Sequence, residues 1–361
     1  MPELHNPTLN VMPMTERPRR GVRLPQALLA CVVVLVAAML ACISGPLFPF
    51  RPHPSGVGQA VAQAADLDAY LAQREAQHPG VKPGLAKEIL WNDPARRNKT
   101  PVALAYLHGF SASRKDISPV VETLARSLGA NVFFTRLAAH GLTRSTEFAT
   151  VTPQDWLDDA REALAIGRRI GERTILIGTS TGALLATLVA HEDNRPDIAA
   201  LVLLSPNFLL RDHRAQFLSG PLGPLLAQIF IGNEHAFRSA NAKQSGLWTP
   251  RFPSQGIVAL MDLVNHARGI RLSDLRVPTL VLYTENDRVV DVGAIRDRFA
   301  EIGDPRKRII DVPGATRHEL TGDVLVPQTV GTVVQDIRDF LSAPSVLGSI
   351  PVEDREPRGD N

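Results

Sequence analysis

The sequence has few cysteines, a small net charge and no loop of the kind that binds nucleotides. Only two cysteines, Cys31 and Cys42, occur among the 361 residues, and both lie in an apolar segment near the N-terminus. The rest of the sequence can therefore form neither a disulfide nor a thiolate metal site. The formal net charge is +2, which gives no argument for a nucleic-acid partner. The sequence also lacks an internal repeat and a glycine-rich loop that could cradle a phosphate.

Charge is missing from one long stretch of the N-terminal region, between Leu24 and Phe50. About 20 helical residues at about 1.5 Å each span the ~30 Å hydrocarbon core of a bilayer, so residues 24–44 are predicted to be a membrane anchor or signal segment. Four arginines immediately precede it: Arg17, Arg19, Arg20 and Arg23. The positive-inside rule then predicts that residues 1–23 form a cytoplasmic basic tail and that the rest of the chain lies outside the cytoplasm.

A second interpretation of this segment is a bacterial lipoprotein signal. The run Ala38-Met39-Leu40-Ala41-Cys42 loosely resembles such a signal. Cleavage before Cys42 would leave a lipid-anchored protein. Both interpretations place the remainder of the chain at a membrane, outside the cytoplasm.

The rest of the chain divides into three parts. Residues 45–64 are rich in proline and small residues and are predicted to be a linker. Residues 65–342 are long enough for one large domain with a substantial core. Residues 343–361 carry proline, serine, glycine and charges and are predicted to be a flexible tail.

Strand and helix patterns alternate along the predicted domain. Apolar strand runs lie near 87–91, 102–107, 131–135, 174–178, 198–204, 279–284 and 308–312. Helical patterns lie near 116–128, 154–170, 182–191, 291–302 and 328–341. This order predicts an α/β fold with a mostly parallel central sheet covered by helices on both faces. The alternation stops over about 205–274, which we predict to be a helical cap inserted after the strand run 198–204.

The most informative residue is Ser180. The strand-like run 174–177 breaks into Gly178-Thr179-Ser180-Thr181-Gly182, and the helix-compatible run 183–190 follows at once. A serine at the apex of such a turn exposes its Oγ beside a helix N-terminus, where backbone N–H groups favour a developing negative charge. The turn is crowded, so its flanking positions need almost no side chain. The pattern predicts a nucleophilic serine.

Other motifs supply the groups that such a serine needs, namely a base, an acid that orients the base, and oxyanion donors. Asp287 and His318 each follow a predicted strand, and the chain order Ser180, Asp287, His318 is that of an α/β-hydrolase triad. The motif His108-Gly109-Phe110 also ends a strand. The N–H groups of Phe110 and Thr181 are the predicted oxyanion donors.

Together these motifs resemble the α/β-hydrolases over residues 86–342, in particular the branch of monoacylglycerol lipases, lysophospholipases and serine-aminopeptidase-like hydrolases. The matching motifs are His108-Gly109-Phe110, Ala139-His140-Gly141, Gly178-Thr179-Ser180-Thr181-Gly182, Asp287-Arg288-Val289-Val290 and His318-Glu319-Leu320. Relatives often carry Gly-His-Gly where this chain has Ala139-His140-Gly141. The resemblance implies a serine hydrolase that uses no metal and no organic cofactor.

We therefore expect a membrane-anchored carboxylesterase or lipase-like enzyme that acts on a small-molecule acyl ester or lipid. Six apolar cap residues are predicted to bind the acyl chain, unless they pack against the sheet instead: Phe208, Leu210, Phe217, Leu225, Ile229 and Phe230. One alternative is a serine exopeptidase, in which Glu234 or Asp212 would hold the α-ammonium group of the substrate. The other is a non-catalytic, membrane-tethered binding module. The sequence gives no indication of the oligomeric state.

Overall fold

Two stretches of the chain, residues 25–43 and 49–348, are described by the computed structural model. They fall into two units that divide after Gly45. The first unit contains helix α1 (Gln26–Ile43), inside the predicted anchor. Within the part of the chain that the structure describes, no helix is both long enough and apolar enough to cross a membrane. The predicted basic tail at 1–23 and residues 349–361 of the predicted C-terminal tail lie outside the described residues.

The second unit alternates strands and helices. Its strands are β1 (Glu88–Leu90), β2 (Thr100–Leu107), β3 (Asn131–Phe134), β4 (Gly171–Thr179), β5 (Ile198–Leu204), β6 (Glu234–Ala236), β7 (Arg251–Pro253), β8 (Thr279–Tyr283) and β9 (Lys307–Asp311). Its helices are α2 (Val57–Gln63), α3 (Leu67–Glu75), α4 (Val120–Leu128), α5 (Pro153–Ile170), α6 (Thr181–Asp193), α7 (Gly223–Phe230), α8 (Ala242–Leu247), α9 (Gln255–Arg268), α10 (Val292–Glu301) and α11 (Val330–Leu341).

A central sheet runs in the order β1-β3-β2-β4-β5-β8-β9. Only β1 among these strands is antiparallel to its neighbour; the other pairs are parallel. Side chains alternate along β2, so that Ala103 and Ala105 join the core on the α5 and α6 face, while Val102 and Leu104 join the core on the α4 and α11 face. The predicted mostly parallel sheet with helices on both faces is confirmed.

The cap follows β5, as predicted, but it is not wholly helical. It contains α7, α8 and α9 together with an antiparallel pair, β6 and β7. Helix α9 buries Met261, Leu263 and Val264 in the main core. Helix α7 instead leaves Leu225 and Ile229 exposed. The cap thus packs into the main core through α9 and exposes an apolar surface along α7.

Both predicted ends of the domain differ from the structure. The predicted linker 45–64 contains helix α2, whose Val61 is fully buried and whose end is held by hydrogen bonds from Arg169 to the carbonyls of Val61 and Ala64. At the other end, Val346 and Leu347 belong to the predicted tail 343–361 but are buried. The small residues of α2 resemble those of a linker in the sequence. Only the packing of α2 against α5 shows that it belongs to the domain.

Candidate active site

Ser180 lies at the turn between β4 and α6, with φ +54° and ψ −113°. This is a strained backbone for a residue with a side chain, and such strain persists only where the surroundings impose it. The two flanking glycines explain how the turn fits. A Cβ on Gly178 would lie 2.4 Å from the carbonyl oxygen of Gly182, and a Cβ on Gly182 would lie 2.1 Å from that of Leu107. Any larger residue at either position would therefore push the turn apart.

The structure brings the three predicted triad residues into one hydrogen-bonded series. His318 Nε2 lies 2.9 Å from Ser180 Oγ, and His318 Nδ1 lies 2.7 Å from Asp287 Oδ2. The other carboxylate oxygen, Asp287 Oδ1, accepts hydrogen bonds from the amides of Val289 and Val290 at 2.8 and 3.0 Å. Ser180, Asp287 and His318 follow β4, β8 and β9 respectively, so they meet because parallel strands end at the same edge of the sheet.

The charges at this series are coupled. Burial acts to raise the pKa of Asp287, but the hydrogen bond and charge of His318 and the two backbone amides outweigh it, so that pKa lies below its usual value. For His318, burial acts to lower the pKa, and Asp287 outweighs it with a contribution from Glu319, so the pKa is raised. The pair therefore favours a carboxylate beside an imidazolium, which is the state that a histidine reaches when it accepts a proton from a neighbouring hydroxyl.

The two predicted oxyanion donors are free to act. Among the described residues, neither the Phe110 amide nor the Thr181 amide donates a hydrogen bond. The loop that carries Phe110 lies against the Ser180 turn, since a Cβ on Gly109 would be 3.5 Å from Ser180 Cβ. Phe110 and Thr181 also line the same cavity as Ser180. Unpaired amides beside a serine Oγ are what an oxyanion hole requires.

A cavity of about 930 Å³ opens above Ser180 and His318. Of the six residues predicted to bind the acyl chain, Leu210, Phe217 and Phe230 line this cavity. The other predicted contacts do not. Phe208 is only 2% exposed and packs into the core, with its ring 6.0 Å from the Arg298 guanidinium.

Leu225 and Ile229 also lie outside the lining, and are 54% and 63% exposed. They are four residues apart on α7 and so share a helix face that points away from the cavity. Sequence reasoning missed several lining residues: Leu218, Ile231, Phe237, Trp248, Phe252, Ile257 and Leu260. Apolar spacing does not distinguish a side chain that faces a cavity from one that faces the core.

The carboxylates at the cavity are paired with arginines. Asp212 bonds Arg214 at 2.7 Å, and Glu319 bonds Arg317 at 2.8 Å. Glu234, the other predicted partner for an α-ammonium, lies outside the lining and bonds Arg251 at 2.9 Å. Among the described residues, no group of His, Cys, Asp or Glu side chains is arranged to hold a metal ion.

The sheet order, the cap and the strand–serine–helix turn define an α/β-hydrolase. The family model described as serine aminopeptidase, S33 matches residues 99–324, so the chain belongs to that family and is a serine hydrolase. The resemblance to this branch of the α/β-hydrolases is thereby confirmed. A comparison with curated proteins found no similar sequence.

Several solved structures share the fold. One, from a study of the metagenome-derived lipolytic enzymes LipS and LipT, is 18% identical with a TM-score of 0.60, covering 72% of this chain and 98% of its own. The monoacylglycerol lipase of Paleococcus ferrophilus is 16% identical, with a TM-score of 0.53 and coverages of 71% and 98%. A soluble variant of the Saccharomyces cerevisiae monoglyceride lipase, bound to a substrate analogue, is 15% identical, with a TM-score of 0.54 and coverages of 71% and 91%. At these identities the likeness shows the fold alone.

Proposed function

We propose that this protein is a carboxylesterase or lipase-like enzyme in which Ser180 is the nucleophile, His318 the general base and Asp287 the residue that orients His318. The observation that carries the proposal is the unbroken series of hydrogen bonds from Asp287 through His318 to Ser180, which ends in a mainly apolar cavity. A nucleophile, a base and an orienting acid within hydrogen-bond reach are the signature of covalent acyl transfer.

The proposed reaction has two steps, acylation of Ser180 and hydrolysis of the acyl-enzyme. Ser180 Oγ attacks the ester carbonyl carbon while His318 Nε2 takes the hydroxyl proton, and the amides of Phe110 and Thr181 stabilise the resulting oxyanion. The imidazolium then returns its proton to the departing alcohol, which leaves an acyl-serine. Water attacks this ester as His318 again takes a proton, and the imidazolium then gives that proton to Ser180 Oγ as the bond to the acyl group breaks and the acid is released.

An acyl ester fits the cavity better than a peptide N-terminus does. The lining is mostly apolar and includes Leu210, Phe217 and Phe230. An α-ammonium group would need an unpaired carboxylate, and the lining carboxylates, Asp212 and Glu319, each bond an arginine. Lipase names among proteins that share the fold agree with this choice. A non-catalytic binding module would need neither the strained serine nor its bonded histidine.

We further propose that the N-terminal segment holds the enzyme to a membrane, with residues 51–361 outside the cytoplasm. The support is the sequence pattern alone, in which the uncharged run 24–50 follows four arginines. Intact mass of protein extracted from membranes tests the proposal. A full-length mass indicates a retained helix, whereas loss of the residues before Cys42 with added acyl mass indicates a lipoprotein. Recovery of the unprocessed chain in the soluble cytoplasmic fraction would refute both.

The decisive experiment compares p-nitrophenyl esters of increasing chain length with a panel of aminoacyl anilides, using the full chain in detergent. We expect turnover of the esters and negligible turnover of the anilides. Preference for an aminoacyl anilide would replace the esterase by the exopeptidase. Absence of turnover on both panels, together with no labelling by a fluorophosphonate, would favour the binding module.

A further inference from the structure

Three consecutive backbone amides in the loop after β2 differ in their hydrogen bonding. The Gly109 amide donates to Asp116 Oδ2 at 3.0 Å, and the Ser111 amide donates to His140 Nε2 at 2.9 Å. The Phe110 amide between them has no acceptor among the described residues. Fixing the peptide groups on either side leaves the middle one little freedom to rotate. The loop therefore keeps one N–H group unpaired at a residue that lines the cavity together with Ser180.

The hydrogen bonds of His140 define its protonation state. A backbone N–H can only donate, so Nε2 must be the unprotonated nitrogen of the ring. Nδ1, 2.9 Å from the carbonyl of Ala138, then carries the proton and donates it. Burial, with the nearby His108 and Arg136 acting in the same direction, holds the pKa of His140 well below its usual value, so the ring stays neutral. It therefore remains an acceptor for the Ser111 amide at working pH.

Asp116 ties the same loop to the strand that carries Ser180. While Oδ2 accepts from Gly109, Oδ1 accepts from the hydroxyl of Tyr106. That hydroxyl also lies 2.9 Å from Oγ1 of Thr179, the residue before Ser180. Asp116 and Tyr106 are both buried. One carboxylate thus links the loop of one predicted oxyanion donor to the turn that holds the nucleophile and the other donor.

The side chain of Phe110 is also held in place, through contacts with neighbouring rings. Its ring meets four others edge to face at centroid distances of 5.2 to 5.8 Å: His140, Phe148, Trp156 and Phe252. Such pairs stabilise a fixed ring orientation beyond simple burial. His140 therefore contacts Phe110 through the ring and fixes the next amide through Nε2.

We propose that His140 and Asp116 are positioning residues that aim the Phe110 amide at the oxyanion. The inference rests on the proposed function, because it assumes that Ser180 forms a tetrahedral intermediate. Neither residue lines the cavity; each acts through a backbone amide that flanks the donor. An oxyanion donor works only when it points at the atom that acquires charge, so misdirecting it weakens transition-state binding and leaves ground-state binding unchanged.

Paired substitutions test this with folding controlled. His140→Gln keeps an acceptor near the position of Nε2, whereas His140→Asn is too short to reach the Ser111 amide. Asp116→Asn keeps one oxygen for the Gly109 amide, whereas Asp116→Leu has the same size and no acceptor. We expect kcat to fall about 10- to 100-fold in His140→Asn and Asp116→Leu and less than about 5-fold in the other two, with KM unchanged in all four. Removal of one whole donor costs about 10²- to 10³-fold, which sets the upper bound.

Inhibition by a trifluoromethyl ketone separates a positioning role from a purely structural one. The adduct of this inhibitor with Ser180 carries an oxyanion, so its inhibition constant depends on the oxyanion donors. Its inhibition constant should rise by the same factor as kcat/KM falls across the four variants. A matched control is Asn131→Leu, which removes a buried acceptor of the Asn92 amide at the start of β3, away from the loop. This variant should lose thermal stability and keep both kcat and the inhibition constant.

The outcomes separate the two levels of inference. If His140→Asn and His140→Gln show equal kcat and equal inhibition constants, the positioning role is wrong, although Ser180→Ala remains inactive. If kcat falls while the inhibition constant stays at the wild-type value, His140 and Asp116 merely support the fold. If Ser180→Ala retains activity, the proposed function itself fails.

Discussion

The two walls of the cavity are built in opposite ways. On the sheet side, Ser180, Thr181 and Phe110 are held by buried partners, and Gly178 and Gly182 leave no room for a side chain. On the cap side, α7 brings Phe230 to the cavity with 74% of its surface exposed. The sheet wall therefore tolerates almost no change, whereas the part of the cap wall that α7 forms can vary without disturbing it. We infer that the first wall determines the reaction and the second determines which acyl group is accepted.

Loss of the nucleophile should produce the largest effect. Ser180→Ala should reduce kcat on the order of 10⁶-fold, as in a dissected serine-protease triad, with unchanged folding. A fluorophosphonate should label the wild type and not this variant. Ser127→Ala is the matched control, because it removes a buried hydroxyl that bonds Leu124 on α4, away from the cavity. Labelling of Ser180→Ala at the wild-type rate would show that another residue is the nucleophile.

Loss of the acid that bonds His318 should have the next largest effect. Asp287→Asn should lower kcat about 10⁴-fold, since the amide no longer holds His318 in the required tautomer. Asp291→Asn is the comparison, because Asp291 caps α10 through the Ala294 amide and bonds His213 outside the series. It should cost some stability and little activity. If the Asp291 variant is the less active of the two, the wrong acid has been assigned.

The pH dependence should report the coupling around His318. The pKa of His318 is raised above its ordinary value of 6.5, and the base is lost on protonation, so kcat/KM should fall with decreasing pH through a midpoint above 6.5. Below that midpoint the loss approaches tenfold per pH unit.

Glu319 contributes to this rise, so Glu319→Gln should move the midpoint down and leave the plateau at high pH unchanged. A midpoint that stays fixed in Glu319→Gln would show that Glu319 does not contribute to the pKa of His318.

The cap wall should change selectivity more than rate. Each added methylene that enters the cavity contributes about 0.8 kcal/mol, so kcat/KM should rise roughly fourfold per methylene until the cavity is full. Phe217→Ala should reduce kcat/KM about tenfold for long acyl chains and little for acetyl esters. Leu225→Ala should change neither, because that side chain lies outside the lining. Equal losses on short and long esters in Phe217→Ala would mean that the cap supports the fold instead of binding substrate.

The sequence anticipated the sheet wall well and the cap wall poorly. Strand runs, a glycine-flanked serine and their order are local signals, and the strands and the Ser180 turn lie where these signals predicted. Phe208 shows the limit, since an apolar residue in the cap looks the same whether it enters the core or the cavity. His140 shows another, because the motif that contains it carries no sign that its Nε2 would accept the Ser111 amide.

What the sequence determined by itself is the class of chemistry. The pattern is a serine between two glycines at a strand–helix junction, followed in order by an aspartate and a histidine after later strands. Each part of this pattern is a local signal that can be read from neighbouring residues in the sequence. Tertiary structure alone decided which of the acidic residues reach His318 or an arginine, which apolar side chains line the cavity, and that α2 belongs to the domain. These depend on contacts between residues far apart in the chain, and neither periodicity nor composition contains that information.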